Sequence, residues 1–318
     1  MLSSMSAIRN SVRKSLESLE AGDLVLVAVS GGADSLALAY ALSVEAPLCA
    51  ITVRAVTVDH QLQKGSALQA VKVSEQMKTL GIETSIENVT VDITEGLEAS
   101  ARKARFAALD AAGNRFNAVA VFLGHTRDDQ AENVLLGLAR GSGTRSLSGM
   151  AAKNGKYFRP LLNITRAQTE QLCQEIGLLA WKDPHNVDSS FARVRVRTEA
   201  IPTLEKTIGP GISEALARSA DLLRHDADAL DAWAEREILQ LNLADMDCEY
   251  LGQLPQAIRS RVIRRAIYAA GAPTGSVSAD HVASVEALIT AWNGQKAAHL
   301  PGGVKVERFS GRLSLLRY

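Results

Sequence analysis

The stretch "LVLVAVSGGADSLALAYAL", residues 24–42, joins a short apolar run to a helical pattern through a glycine turn. Glycines at such a turn let the backbone approach an anion, and the start of the helix supplies free N–H groups. The turn has no lysine, and the Walker pattern G-x-x-x-x-G-K-[ST] occurs nowhere in the chain. Asp34 would repel a bare phosphate, so the sequence predicts a divalent cation between them. The alternative is a plain strand–helix turn in which Asp34 caps the helix.

Short apolar runs alternate with helical patterns through the first half of the chain. The candidate strands are 24–29, 53–58, 84–91 and 118–124, and the candidate helices between them are 34–45, 66–81 and 97–113. Continuous apolar strands separated by helices are typical of a parallel sheet covered on both faces. The sequence therefore predicts an α/β fold with a doubly wound, mostly parallel sheet of Rossmann-like type.

The pattern changes near residue 200, where a segment rich in proline and glycine indicates a junction. Helical periodicity then follows at 213–241, 255–271 and 278–294, and the tail 297–318 alternates like strands around Ser310 and Gly311. We predict two domains, a catalytic domain over 1–207 and a smaller helical domain over 208–318 that ends in a β-hairpin.

Composition excludes several classes of protein. The 318 residues are 47% hydrophobic, and 35 lysines and arginines balance 35 aspartates and glutamates, so net charge argues neither for nor against a polyanion partner. Cys49, Cys173 and Cys248 form no CxxC pair, which excludes a zinc ribbon or an iron–sulfur site built within this chain. No apolar run reaches the roughly 18 residues of a membrane span. We expect a cytoplasmic protein without a membrane segment.

Six further short motifs accompany the glycine turn along the chain. After "SGGADS" (30–35) they are "VDH" (58–60), "ARKAR" (101–105), "GHTRDDQAE" (124–132) with "RGSG" (140–143), "RPLL" (159–162) and "DPHN" (183–186). Over about residues 20–205 the chain resembles the tRNA(Ile)-lysidine synthetase family, which belongs to the PP-loop N-type ATP pyrophosphatases. Its length resembles the shorter type of that family, with one helical domain after the catalytic domain.

The resemblance implies an activity. ATP and Mg²⁺ would be used to adenylate the wobble cytidine of the isoleucine tRNA with a CAU anticodon, releasing pyrophosphate. The amine of free lysine would then displace AMP from C2, which changes the tRNA from methionine to isoleucine specificity. Basic residues of the helical domain, among them Arg259 and Lys296, would follow the tRNA backbone. The alternative for that domain is a structural cap or a dimerisation surface, which leaves a homodimer open.

The resemblance also implies site residues. The nucleotide is expected at Ser30, Gly31, Gly32, Ala33, Asp34, Ser35 and His60, and magnesium at Asp34 and Asp128. The expected catalytic residues are Asp34, Asp128, Asp129, His125, Arg105 and Arg193. Each has a plainer interpretation: one acid of the pair caps a helix, the histidine packs, and the arginines are solvated. Glu132, one helical turn on, shares the face of the acid pair. Phe106 and Val194 replace a tyrosine and an asparagine that are common in the family.

Three other functions compete with this one. A tRNA thiolation enzyme of the same superfamily usually carries paired cysteines near the nucleotide, and this chain has no CxxC. An ammonia-using, amide-forming synthetase usually brings a glutaminase domain, for which no length remains. A nucleotide-binding regulator without catalysis needs neither the acid pair nor the second arginine cluster.

Overall fold

The computed structural model describes residues 3–62, 65–92, 96–141, 143–181, 183 and 187–317. The chain forms two compact units, residues 1–222 and 223–318. The predicted domain division at residue 207 stays a prediction.

The first unit is built on a six-stranded sheet. Its strands are β1 (Leu24–Ala28), β2 (Thr52–Asp59), β3 (Glu83–Asn88), β4 (Ala120–Leu123), β5 (Lys153–Asn154) and β6 (Tyr157–Phe158). They lie in the order β3-β2-β1-β4-β6-β5, and all neighbours are parallel except β5 and β6. The predicted mostly parallel sheet is therefore confirmed, and an antiparallel strand closes one edge.

Helices cover both faces of this sheet, as a doubly wound fold requires. They are α1 (Ser4–Leu16), α2 (Ala33–Glu45), α3 (Ser66–Thr79), α4 (Leu97–Arg115), α5 (Arg127–Ala139), α6 (Thr144–Leu147), α7 (Arg166–Glu175), α8 (Ala192–Arg195) and α9 (Ile201–Thr207), with a π-helical turn at Val196–Ala200. Alternate residues of β1 point into separate cores: Val25 and Val27 pack with α1, α2, α3 and α7, whereas Leu26 packs with α4.

The side on which the chain adds new strands to the sheet changes between β1 and β4. From β1 the chain passes outward through β2 and β3, and it then returns to pair β4 with the other side of β1, with Ala28 opposite Leu123. In open α/β sheets, ligands bind at such a switch point, beyond the carboxyl ends of the strands. The glycine turn after β1 and the Gly124–His125 segment after β4 both lie there.

The second unit combines helices with a small antiparallel sheet. Besides the end of α10 (Ile212–Ile238), it contains α11 (Cys248–Gln253), α12 (Gln256–Ala269), α13 (Ala279–Thr290), β7 (Asp245–Asp247), β8 (Ala298–Leu300), β9 (Val304–Phe309) and β10 (Arg312–Arg317). The predicted hairpin is confirmed as β9–β10, which turns at Ser310 and Gly311. Strands β7 and β8 extend it to four strands in the order β7-β10-β9-β8, an addition that the sequence pattern did not indicate.

Gly124 sets the distance between the end of β4 and the first turn of α2. A Cβ at this residue would lie 2.9 Å from the carbonyl oxygen of Asp34 and 3.0 Å from the Cα of Ser35. Both neighbours are backbone atoms, so the helix start would have to move. We expect Gly124→Ala to lower the free energy of unfolding by about 1–3 kcal/mol, the usual cost of overpacking. Chemical denaturation measures this.

Gly252→Ala is the matched control, because Gly252 lies in α11 with open space where a Cβ would be. Alanine is the better helix former there, so this variant is expected to be unchanged or more stable by up to about 1 kcal/mol. A Gly124→Ala protein as stable as the wild type would contradict the close approach.

Candidate active site

The turn after β1 places its first glycine in a left-handed conformation with little space for a side chain. Gly31 has a φ of +88°, and a Cβ there would lie 2.8 Å from Nε2 of Gln69 and 2.9 Å from Cγ2 of Val73. Its carbonyl accepts a hydrogen bond of 2.8 Å from the backbone N–H of Trp181. Gly32 follows as the N-cap of α2, and Ala33 is the first residue of that helix.

Two serines hold the turn together from inside. The Ser35 hydroxyl donates to the carbonyl of Gly32 at 2.9 Å and accepts from the backbone N–H of Ser30 at 3.2 Å. The Oγ atoms of Ser30 and Ser35 lie 3.4 Å apart. The loop therefore keeps its shape through its own hydroxyl groups, at the positive end of the dipole of α2, where an anion is stabilised.

A cavity of about 760 Å³ opens at the switch point, within the size range of small-molecule sites. The expected site residues on its wall are Ser30, Gly32, Ala33, Asp34, Ser35, Arg105, His125, Asp129 and Arg193. Arg166 and Arg197, which the sequence did not single out, also line it. His60 lines a smaller adjoining cavity of about 120 Å³ together with Ser30 and Trp181. Residues 184–186 of the DPHN motif lie outside the described residues.

Asp34 is held by two partners from α7. Thr169 donates a hydrogen bond from its hydroxyl to Oδ1, and Nε of Arg166 lies 3.4 Å from Oδ2. Burial raises the pKa of Asp34 to about 6, against the opposing effects of Arg166 and Thr169. Asp34 is thus a carboxyl group that exchanges a proton near neutral pH.

The structure separates the roles of the adjacent acids Asp128 and Asp129. Oδ2 of Asp129 accepts from the backbone N–H and the hydroxyl of Thr126, at 2.8 and 3.1 Å, which caps the start of α5. Oδ1 of Asp129 contacts Arg166 at 3.0 Å, and this contact keeps the pKa of Asp129 low despite burial. Asp128 accepts the backbone N–H of Arg166 at 2.8 Å, and it is not among the residues that line the cavity.

Arg166 lies among three carboxylates from two helices. Its guanidinium is 3.4 Å from Asp34, 3.0 Å from Asp129 and 3.6 Å from Glu132, which is fully buried. Burial opposes its charge, but these acids together raise the pKa of Arg166 above the usual value. Glu132 and Asp129 thus contact the same guanidinium, whereas Asp128 accepts the backbone N–H of Arg166 instead.

Glu132 is bound mainly by arginines of α8 and of the π-helical turn that follows it. Arg197 contacts both of its oxygens, at 2.6 and 3.1 Å, and Nε of Arg193 lies 3.7 Å away. Such fork-like pairing with two oxygens fixes orientation as well as charge. Glu132 therefore anchors the arginine segment to α5.

Arg193 borders a second cavity of about 770 Å³ beside α5. Basic residues Arg102, Arg140 and Arg145 also line this cavity. Arg193 donates to Oδ1 of Asn133, and its buried Nε makes no hydrogen bond to a described residue. Since it lines both cavities, Arg193 is placed to contact an anion from either side.

The pKa of each of the two histidines of the site is lowered, which favours the neutral imidazole. Burial lowers the pKa of His125, and the positive charge of Arg105 lowers it further. The pKa of His60 is lowered by the same two causes. Their buried Nδ1 atoms have no hydrogen-bond partner among the described residues. His125 is thus a polar, uncharged group of the cavity wall, beside an arginine whose own pKa is lowered by burial and by Arg102.

The carboxylates suit a magnesium ion that is completed by a nucleotide. Mg²⁺ is commonly held by one or two carboxylates together with phosphate oxygens and water, and Asp34 offers such an oxygen beside the phosphate loop. Within the described part of the chain, no group of three His, Cys, Asp or Glu side chains could hold a metal ion by itself. The donor chemistry therefore fits a cation that arrives with phosphates, and not a preformed cage.

The two departures from the family motifs fall at packed positions. The Phe106 ring meets the Tyr157 ring edge-on at 5.0 Å, and the guanidinium of Arg102 lies 5.0 Å from its centroid. Val194 is 6% exposed. Both residues contribute apolar packing where a polar side chain is common, and neither lines the cavity at the switch point.

Several site residues were missed by reasoning from the sequence. Arg166 and Arg197 line the cavity, and Thr169 is buried behind it against Asp34. They come from segments that follow the "RPLL" and "DPHN" motifs. A usable signal existed for Arg166: "TRAQ" (165–168) is a helix start with a capping box, and three acids at a switch point need a cation nearby.

The raised pKa of Asp34 makes stability depend on pH. Between about pH 4 and pH 6 the folded protein holds a proton on Asp34 that the unfolded chain releases. The free energy of unfolding of the wild type should therefore fall as pH rises through this range. We expect Asp34→Asn to gain up to about 3 kcal/mol relative to the wild type between pH 4 and pH 7, measured by denaturation at each pH.

Asp110→Asn serves as a control of opposite sign. Hydrogen bonds from Tyr157 and Lys156 lower the pKa of Asp110, so the wild type gains stability from this acid as pH rises. The Asp110→Asn variant should therefore lose stability relative to the wild type with rising pH. A difference in stability between Asp34→Asn and the wild type that stays constant with pH, while Asp110→Asn shows its slope, would show that Asp34 has an ordinary pKa in the folded protein.

Comparison with known proteins identifies both parts of the chain. Residues 5–204 match the family model of the PP-loop domain, and residues 246–314 match that of the TilS substrate binding domain. The tRNA(Ile)-lysidine synthase of Thermobifida fusca is 49% identical over 96% of this chain and 95% of its own length. The synthase of Streptomyces coelicolor is 52% identical over 93% of this chain and 86% of its own length.

A solved structure supports the fold separately. The U34-tRNA thiolase NcsA from Methanococcus maripaludis, with its [4Fe-4S] cluster, superposes with a TM-score of 0.60 over 70% of this chain and 79% of its own. At 22% sequence identity this likeness concerns the fold alone. In the present chain Cys49 is exposed, and Cys173 and Cys248 are buried in different cores. The PP-loop fold, the matched substrate-binding segment and the near full-length relatives establish that the chain belongs to the tRNA(Ile)-lysidine synthase family.

Proposed function

We propose that this enzyme uses ATP to join lysine to C2 of the wobble cytidine in the isoleucine tRNA with a CAU anticodon. The observation that carries the proposal is the lysine-free phosphate loop beside Asp34 and Asp129, in a chain whose relatives are named tRNA(Ile)-lysidine synthase. Such a reaction needs tRNA, ATP and free lysine together, which places it in the cytoplasm.

The phosphate loop supports cleavage of ATP between the α- and β-phosphates. Departing pyrophosphate would gain from the backbone N–H groups at the start of α2 and from the hydroxyls of Ser30 and Ser35. Mg²⁺ would neutralise the charge that develops on the departing group. The loop itself, residues 30–35, contains no lysine to reach a γ-phosphate, which agrees with transfer of AMP to the cytidine oxygen instead.

The charged residues around the cavity support binding of the α-phosphate, the tRNA and the lysine substrate. Arg105 and Arg193 line the same cavity as the phosphate loop and can pair with the α-phosphate or a tRNA phosphate. Asp129, which lines the cavity, would meet the ammonium group of lysine, and an acid in that place can accept a proton when the amine attacks C2. His125, held neutral, would orient a substrate by hydrogen bonding and not by charge.

The C-terminal part, which we assign as a domain over 208–318, would hold the tRNA. The match of residues 246–314 to a substrate binding domain supports this role. Many of its arginines are already engaged within the fold, however: Arg261 with Asp231, Arg265 with Glu235 and Arg312 with Asp245. The number of phosphates that it neutralises should therefore be smaller than its arginine count indicates.

Lysine transfer tests the proposed reaction directly. The protein is incubated with ATP, Mg²⁺ and radiolabelled lysine, together with an isoleucine tRNA transcript that bears CAU or one with a different wobble base. We expect label in the first transcript only. ATP–pyrophosphate exchange without lysine incorporation into either would indicate a different acceptor.

Asp34→Ala should abolish the adenylation step and leave tRNA binding largely intact, because the change removes the acid beside the phosphates and no surface contact. Pyrophosphate release and a tRNA filter-binding assay separate the two effects. Glu83→Ala, which removes an exposed acid at the start of β3, is the control and should keep full activity. Full adenylation by Asp34→Ala would overturn the role of this carboxylate.

Changing Arg259 and Lys296 to glutamine should affect the stability of the protein to very different extents. Arg259 is buried and contacts Glu286 at 2.7 Å and the carbonyl of Leu254 at 2.9 Å, so Arg259→Gln is expected to cost about 3–5 kcal/mol of stability. Lys296 is exposed, and Lys296→Gln should change stability by less than about 0.5 kcal/mol.

The salt dependence of tRNA binding distinguishes their roles further. Lys296→Gln should reduce the slope of log K against log salt by up to about 1, and Arg259→Gln should leave it unchanged. A wild-type slope near zero would contradict electrostatic tRNA binding and favour a structural cap or a dimer surface.

A further inference from the structure

Arg166 occupies the position that joins the phosphate loop to α5. Its backbone N–H donates to Asp128, and the neighbouring N–H of Arg127 donates to the carbonyl of Ile164 at 2.9 Å. The capping box of Thr165 and Gln168 fixes the start of α7 at the same point. The base of the Arg166 side chain is therefore held by backbone contacts, and its guanidinium is directed at the acids.

The contacts of the guanidinium are unequal. Asp129 is 3.0 Å away, whereas Asp34 is 3.4 Å and Glu132 is 3.6 Å away. Each of the two more distant acids also has another partner, since Asp34 accepts a hydrogen bond from Thr169 and Glu132 is paired with Arg197. The contact with Asp34 can therefore be released while Arg166 stays bound to Asp129.

A divalent cation at Asp34 would meet this guanidinium. Two positive groups that share one carboxylate repel each other strongly in a partly buried site. We propose that Arg166 is a positioning residue that acts as a built-in counterion: it keeps Asp34 and Asp129 closed to a free divalent cation, so that cation and nucleotide bind together. The choice of cation and nucleotide rests on the proposed function.

The triphosphate of the nucleotide would allow a divalent cation to replace Arg166 at Asp34. Its negative charge offsets the added cation, and the planar fork of arginine pairs well with phosphate oxygens. Arg166 can then turn from Asp34 toward a phosphate while Asp34 turns to the cation. Cation affinity is consequently low without nucleotide and rises with it, a coupling that must be reciprocal.

Binding of Mn²⁺ to the full chain tests this without tRNA, lysine or turnover. The free-ion signal in electron paramagnetic resonance is followed with and without an ATP analogue whose α–β bridge is a methylene group. We expect Arg166→Gln to bind Mn²⁺ at least about tenfold more tightly than the wild type without nucleotide, which is about 1.4 kcal/mol. With the ATP analogue present, the difference in Mn²⁺ affinity between Arg166→Gln and the wild type should be smaller.

Arg127→Gln is the matched control, since it removes the same charge beside the site. Arg127 lies at the start of α5 and pairs at 3.8 Å with Glu214, away from the three acids. Its Mn²⁺ affinity should equal that of the wild type. Equal affinities for Arg166→Gln and the wild type, or a similar gain in Arg127→Gln, would overturn the proposal.

Thermal unfolding provides a second measurement. Arg166→Gln leaves Asp34 and Asp129 without the guanidinium that they share, so the melting temperature of this variant should be lower than that of the wild type. Addition of Mn²⁺ should raise the melting temperature of Arg166→Gln but not that of Arg127→Gln. If Arg166→Gln does not fold even with Mn²⁺, Arg166→Lys decides: its single ammonium covers fewer acids, so Mn²⁺ should bind several-fold more tightly than to the wild type. An unchanged affinity in that variant would contradict the proposal.

Because no tRNA, lysine or turnover is involved, this outcome is independent of the lysine-transfer assay. A chain that fails to modify tRNA but shows the Mn²⁺ effect would lose the proposed function and keep the counterion role of Arg166.

Discussion

The contact between the end of β4 and the first turn of α2 determines where everything else in the site can lie. Backbone meets backbone there, at a distance that leaves no room for a Cβ on Gly124. Parallel pairing of β1 with β4 brings the two strand ends side by side, and the glycine lets the segments beyond them touch. As a result Asp34, from one strand–helix junction, and His125 and Asp129, from the other, face a common cavity.

Bringing acids together in this way creates an electrostatic problem that arginines resolve. Asp34, Asp129 and Glu132 are poorly solvated, and unpaired buried carboxylates would be strongly destabilising. Arg166 and Arg197 supply the opposing charge from two separate segments. The same pairs that neutralise the acids also tie α7 and the segment after α8 to α5, so charge balance and tertiary structure depend on each other.

Local patterns in the sequence were enough to predict the α/β fold, strands β1 to β4 of the sheet and the terminal hairpin, since these follow from apolar periodicity. Strands β5 to β8, of two or three residues each, are too short to leave such a pattern. The motifs pointed to Asp34, Asp129 and His125, which do meet at one cavity. Arg166 was missed because its partners lie 37 and 132 residues away in the chain, and only the tertiary fold relates them.

Asp129 uses its two oxygens for different purposes: one caps α5, and the other pairs with Arg166. An asparagine would keep the cap and lose the charge, whereas a glutamate would keep the charge and misplace the cap. Substitution at this position is therefore constrained twice, by the helix cap and by the ion pair. Such a residue offers no neutral route of exchange, so a lineage that abandoned the ion-pair network would have to rebuild the start of the helix at the same time.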